Sequence, residues 1–171
     1  MPGHTRYARL HGAPHGPTEH DEEVVYTAWC QASYARWPEL RKMYKIVNEG
    51  KRTYGHMAWL RSEGFLEGMP DRCLPVARKG FHAFYVELKR VKGGRLSDAQ
   101  RARQAELRAE GNFVVTARGA ERAIYWTARY LGEGTLPDPE LEVGHEREGD
   151  GRGVPALEGD VGRSAGAARH R

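Results

Sequence analysis

Two carboxylates and a lysine stand in a stretch that otherwise reads as buried strand: Asp71 after Gly68-Met69-Pro70, then Phe84-Tyr85-Val86-Glu87-Leu88-Lys89. Alternation places Phe84, Val86 and Leu88 on one face of a strand and Tyr85, Glu87 and Lys89 on the other. At ~3.3 Å per residue, Glu87 and Lys89 leave the backbone about 6.6 Å apart and address one bound group. Pro70 fixes its own φ and keeps Met69 out of the helical region, so Asp71 is held at the mouth of a second short strand, 72–76. Carboxylates facing one point repel unless one is protonated or a cation lies between them, and hard oxygen donors suit Mg²⁺. A neighbouring lysine orients, or helps deprotonate, an attacking water while the metal stabilises charge on a phosphoryl oxygen. That combination suits hydrolysis of a phosphodiester.

The elements that must position these groups are legible on either side. Thr18 is placed to cap a helix whose first turn is rich in acids (Glu19, Asp21, Glu22, Glu23), and Val24, Val25, Ala28, Trp29 and Ala32 suggest an apolar stripe running to about Arg36. Glu19 and Glu23 are four apart, on one face and away from that stripe. Tyr44-Lys45-Ile46-Val47 reads as the first strand, and a helix from Thr53 to Glu63 is stopped by Gly64, with Met57, Leu60 and Trp59 facing inward. The basic pair Lys51-Arg52 between them serves equally as a DNA-facing loop or as solvated surface. Ala77-Arg78-Lys79-Gly80 turns the second strand into the third, an antiparallel pair that sets Asp71 beside Glu87. Arg90, Lys92 and Arg95 make a cationic loop directly after Lys89.

Ser97 and Gln100 form a capping box for the next helix, whose apolar face (Leu96, Ala99, Ala102, Leu107) is interrupted by Arg103 and Gln104. A buried strand at Asn112–Ala117 and a helix at Ala120–Leu131, with Ala123, Ile124, Thr127 and Leu131 inward, complete the pattern. The order α, β, α, β, β, α, β, α predicts a small mixed sheet with helices on both faces.

The ordered motifs resemble a known family. Pro70-Asp71, a spacer and Glu87-Leu88-Lys89 look like the signature of the PD-(D/E)XK nuclease superfamily. With Asn48-Glu49-Gly50-Lys51-Arg52, the helix ending Glu63-Gly64, Gly68–Asp71, Glu87–Arg90, Gly93–Ser97 and Gln100, residues 19–131 resemble the VRR-NUC branch in its stand-alone bacteriophage form. Glu49 stands where that family carries the first of two glycines.

The resemblance implies an α/β, restriction-endonuclease-like core and a metal-dependent DNA endonuclease. It implies Asp71 and Glu87 as ligands of Mg²⁺ or Mn²⁺, the Leu88 carbonyl as a further ligand, and Lys89 positioning the attacking water. Glu19 of the first helix completes the site, with Glu23 as its substitute. Asn48, Lys51, Arg52, Arg90, Lys92, Arg95 and Gln100 face DNA, although capping alone accounts for Gln100 equally well. It further implies a homodimer that cuts branched DNA such as four-way junctions; Trp37, Tyr54 and Trp126 are candidate contact aromatics that core packing explains equally well, so no interface is assigned to them. Two alternatives remain beside it: a DNA-binding module without catalysis, against which all three central residues speak, and a general or restriction-type endonuclease, for which no target-recognition insert is evident.

Composition sets the outer bounds. The 171 residues suit one domain with tails, and a net charge of +4 is compatible with nucleic acid without demanding it. Cys30 and Cys73 have no CxxC partner, which argues against a zinc cluster or a disulfide framework and for a reducing cytoplasm, the host's if the chain is phage-encoded. No run approaches the ~18 apolar residues of a membrane helix. The Gly- and Pro-rich residues 1–18 and the stretch 132–171, poor in large apolar side chains, are expected to be disordered arms around a domain at 19–131.

Overall fold

A computed structural model describes residues 16–47 and 54–137. The described chain forms α1 (Glu19–Ala32), a 3-10 turn (Pro38–Lys42), β1 (Tyr44–Lys45), α2 (Tyr54–Ser62), β2 (Arg72–Leu74), β3 (Phe84–Lys89), α3 (Asp98–Ala109), β4 (Phe113–Arg118) and α4 (Ala120–Leu131). The strands lie in chain order, β1-β2-β3-β4; the first two pairings are antiparallel and β3 pairs β4 in parallel. The parallel step requires a crossover, which α3 supplies. This is an α/β fold with a four-stranded mixed sheet flanked by helices, as the sequence pattern implies.

One face of the sheet carries the core. Leu74, Phe84, Val86, Leu88, Phe113, Val115 and Ala117 are buried against Tyr26 and Cys30 of α1 and Ala120, Ala123, Trp126 and Tyr130 of α4. Stacked rings make its centre, with Phe84 and Tyr130 centroids 5.0 Å apart and Phe113 meeting Trp126 edge-on at 5.6 Å. The Tyr130 hydroxyl donates to the Val76 carbonyl at 2.7 Å, so its burial leaves no polar group unsatisfied. Alternation sends Glu87, Lys89 and Thr116 to the opposite face, where α3 lies: Thr116 Oγ1 donates to Gln104 Oε1 at 3.2 Å. Leu136, beyond α4, also packs against the core. Among the described residues no helix is long and apolar enough to cross a membrane.

Several local expectations are corrected. The buried face of α1 is Glu22, Glu23, Tyr26 and Cys30, whereas Val24, expected inward, is 46% exposed. The helix is rotated because its carboxylates have buried partners on the sheet and on α4, which outweigh the weak apolar stripe. Thr18 does cap α1, with Asp21 completing the box, but the helix ends at Ala32 rather than near Arg36. β1 pairs over only Tyr44–Lys45, and β2 stops at Leu74, before Pro75, which has no N–H to continue a ladder. Trp59 is 54% exposed, not inward, and Trp126, a candidate contact aromatic, is 2% exposed in the core. Tyr130, absent from the expected inward set of α4, takes the place given to Leu131, which is only half-buried.

Gly68 fixes the approach to the site. Its φ is +79°, and a Cβ there would overlap the Ala99 carbonyl in the first turn of α3. Gly68→Ala is therefore expected to lower stability by about 1–3 kcal/mol, read as a shift in urea midpoint, because both the strain and the clash fall on the segment leading to Asp71.

Candidate active site

Asp71 immediately precedes β2, and the Arg72–Val86 pairing places it opposite Glu87. Its Oδ2 accepts the Leu88 N–H at 2.7 Å, so the carboxylate continues the ladder just past the end of β2. N–H and C=O of one strand residue point to the same side, so the Leu88 carbonyl faces the Asp71 edge as well. The Lys89 carbonyl faces β4 instead and accepts from Gly119 N–H at 2.8 Å.

Glu87 is fully buried. Its Oε1 accepts from Lys89 Nζ at 2.5 Å and from Gln100 Nε2 at 2.5 Å, while Oε2 is buried without a hydrogen-bond partner among the described residues. Burial, then the Asp71 charge, pushes the Glu87 carboxyl up to about 7; Lys89 opposes the shift and Glu19 adds to it. For Lys89, burial favours the neutral amine, but the hydrogen bond and charge of Glu87, with Glu19 and Asp71, outweigh it and raise the pKa. The negative charge here exceeds what one ammonium balances.

Glu19, not Glu23, is the first-helix carboxylate whose charge bears on both Glu87 and Lys89. Glu23 Oε2 is engaged by Arg72 at 2.6 Å and by Lys45 at 3.7 Å, which withdraws it to the other face of the sheet. Gln100 forms the capping box that the sequence predicts and also reaches Glu87. Its Oε1 accepts the Ser97 N–H at 3.0 Å in the capping box, which aims Nε2 at Glu87. Arg90, Lys92 and Arg95 are exposed on the turn after β3. Asn48, Lys51 and Arg52 lie outside the described residues, as does the Tyr54 side chain.

Glu22 and Arg72 were passed over by sequence reasoning as site supports. Glu22 Oε2 accepts the Ala120 N–H at 2.7 Å, placing a carboxylate at the positive end of α4 and tying α1 to the strand ends. The sequence offered one signal for this, an excess of acids in the first turn of α1.

A divalent cation fits this donor set. The orphaned buried oxygen of Glu87, the facing Asp71 carboxylate and the Leu88 carbonyl are hard donors with a surplus of negative charge. Among the described residues no group of three or more His, Cys, Asp or Glu side chains encloses a metal position. Mg²⁺ needs no such cage, since it binds through one or two carboxylates and keeps several waters.

The pKa shift gives a signed prediction. A carboxyl raised from 4.5 to about 7 on folding adds stability at acid pH that is lost as pH rises through 7. The metal-free protein should melt at progressively lower temperature between about pH 5 and 8, and Mg²⁺ should reverse the loss above pH 7, where Glu87 is ionised and able to bind it. Thermal melts in EDTA and in Mg²⁺ across that range measure both arms.

No family model matches the chain, and no curated protein is similar to it. Among solved structures it is similar to one described as a VRR_NUC domain protein, with a TM-score of 0.57 and 24% identity over 69% of this chain and 93% of that chain. The likeness is one of fold: the mixed sheet and flanking helices that hold Asp71, Glu87 and Lys89 together share the architecture of a VRR_NUC domain.

Proposed function

We propose that the chain is a divalent-metal-dependent DNA endonuclease whose site is Asp71, Glu87 and Lys89, with Glu19 completing it and residues 19–131 forming the nuclease domain. The observation that carries this reading is the buried Oε2 of Glu87, without a hydrogen-bond partner among the described residues, on a carboxyl that feels the Asp71 charge and whose Oε1 holds Lys89 at 2.5 Å. Asp71 and Glu87, with the Leu88 carbonyl, would hold Mg²⁺ or Mn²⁺. When bound, the ion stabilises negative charge on a phosphoryl oxygen and lowers the pKa of a water. Lys89 is a protonated donor at the same point, so it orients the attacking water and offsets charge building on the phosphate. Gln100 Nε2 donates to the same Glu87 oxygen as Lys89 and helps fix the carboxylate. Arg90, Lys92 and Arg95, with Asn48, Lys51 and Arg52, attract the phosphate backbone.

One such domain cuts one strand, whereas resolving a four-way junction takes two symmetrically placed cuts. We propose a C₂ homodimer that selects branched DNA by shape, since twofold assembly is the commonest way to present two sites at fixed separation. Cleavage of four-way junctions, flaps, single strands and linear duplex in Mg²⁺ or Mn²⁺, together with sedimentation, tests it. Paired cuts across the branch point by a dimer are expected. Equal rates on junction and duplex would remove shape selection, and a monomer that still cuts junctions in pairs would remove the dimer.

A further inference from the structure

The chain leaves α1 through a tight helical turn, with the Trp37 N–H on the Ser33 carbonyl at 2.9 Å, and enters the 3-10 turn at Pro38. Residues three apart in a helical turn are neighbours, so Tyr34 and Trp37 present their rings on one side. Each ring carries a guanidinium. Arg36 lies 4.4 Å from the centre of the Trp37 ring, and Arg41 reaches back to lie 4.6 Å from the centre of Tyr34. The rings are themselves fixed, since both pack against the core and Trp29 meets Trp37 at 5.7 Å. Both arginines are exposed.

An arginine held over a ring face keeps the N–H donors of its edge for another partner. Among the described residues neither guanidinium meets a carboxylate or a hydrogen-bond acceptor. Glu39, the one carboxylate between residues 33 and 43, is bonded by Arg78 and also attracted by Lys42, so it does not balance them. Two positioned forks without counter-charge match the paired oxygens of phosphates. Their place in the fold is apt for a long substrate. α1 spans 14 residues, about 21 Å at 1.5 Å each, with Glu19 beside the active site at one end and the arginines beyond the other. The exposed side chains between, Val24, Ala28 and Gln31, carry no charge to repel a phosphate backbone.

We infer that Arg36 and Arg41 form a second nucleic-acid contact, gripping the phosphate backbone of a duplex arm that runs from the active site along α1; the inference rests on the reading above that the substrate is DNA. At 3.4 Å per base pair, the patch meets the arm about six base pairs from the cut. Arg36→Gln with Arg41→Gln removes both charges, and Arg36→Lys with Arg41→Lys keeps the charges without the forks. Both positions are exposed, so melting temperatures should stay at the wild-type value.

The test uses the full-length protein and a fluorescein-labelled four-way junction, with binding measured in Ca²⁺ over about 50–200 mM salt and single-turnover cleavage in Mg²⁺. The double glutamine variant should bind about tenfold to a hundredfold more weakly, with a salt slope lower by about 1.8, two phosphate contacts. The double lysine variant should keep most of the slope and lose part of the affinity. Cleavage at saturating protein should keep the wild-type rate in both, since neither residue touches the reacting phosphate. Neutral methylphosphonate linkages about six base pairs from the cut should weaken binding by the wild type and not by the double glutamine variant. An unchanged salt slope in the glutamine variant would overturn the inference, and so would methylphosphonates that weaken both proteins equally. Because binding is read separately from cleavage, a wild type that binds but does not cut sinks the nuclease reading, and the salt slope still decides the patch; a wild type that binds no DNA overturns both.

Discussion

Glu87→Gln is expected to reduce DNA cleavage by about a thousandfold while leaving the protein folded. The amide is isosteric and its oxygen still accepts from Lys89 and Gln100, which both meet Oε1 at 2.5 Å. What disappears is the charge that binds the cation, and losing metal stabilisation of the phosphoryl oxygen removes several kcal/mol from the transition state, about 4 kcal/mol for that factor. The fold should respond in the opposite sense. Burial and Asp71 push the Glu87 carboxyl up to about 7, so an ionised Glu87 is a cost to the metal-free protein at pH 8. Glu87→Gln should raise the melting temperature in EDTA at that pH and abolish the stabilisation by Mg²⁺. A variant that loses activity because it unfolds would show neither change.

Arg72→Met should cost about 3–5 kcal/mol of stability, the penalty for leaving a buried charge without its partner. Arg72 is 8% exposed, and its Nε and Nη2 both donate to Glu23 Oε2, at 3.1 and 2.6 Å. The guanidinium also lies 5.3 Å from the centre of the Tyr26 ring. This pair bolts α1 to β2 and so sets where Glu19, one turn earlier, meets the site. Lys45, at 3.7 Å from Glu23 and partly exposed, is a weak substitute. Removing both charges in Arg72→Met with Glu23→Leu should recover most of the loss, because the pair as a whole contributes little against an apolar replacement. Urea midpoints of the single and double variants measure this, and a cost below about 1 kcal/mol for Arg72→Met would show that Glu23 has found water instead.

The strand bearing Glu87 and Lys89 was legible because its signals were local. Alternation and turn residues delimit β3, Pro70 fixes the entry to Asp71, and the capping box marks the start of α3. The α/β architecture followed from the order of elements. The faces of α1 were not legible, because its buried side chains include Glu22 and Glu23, whose partners Ala120 and Arg72 are distant in sequence. An apolar count places carboxylates outside unless their partners are known. The end of β4 was not legible either, because only the parallel register with β3 carries it on to Arg118, opposite Lys89. Gln100 shows the converse, since its local capping role and its long-range contact with Glu87 use different atoms of one amide.

The central claim, that Asp71, Glu87 and Lys89 form a cation-dependent phosphodiesterase site, is tested most directly by nicking of supercoiled plasmid by the full-length protein. Mg²⁺, Mn²⁺ and EDTA should be compared for wild type and Asp71→Asn. The account predicts nicked circles with wild type in Mg²⁺ or Mn²⁺, none in EDTA, and none with Asp71→Asn in any of them; nicking that persists in EDTA or in the variant would contradict it.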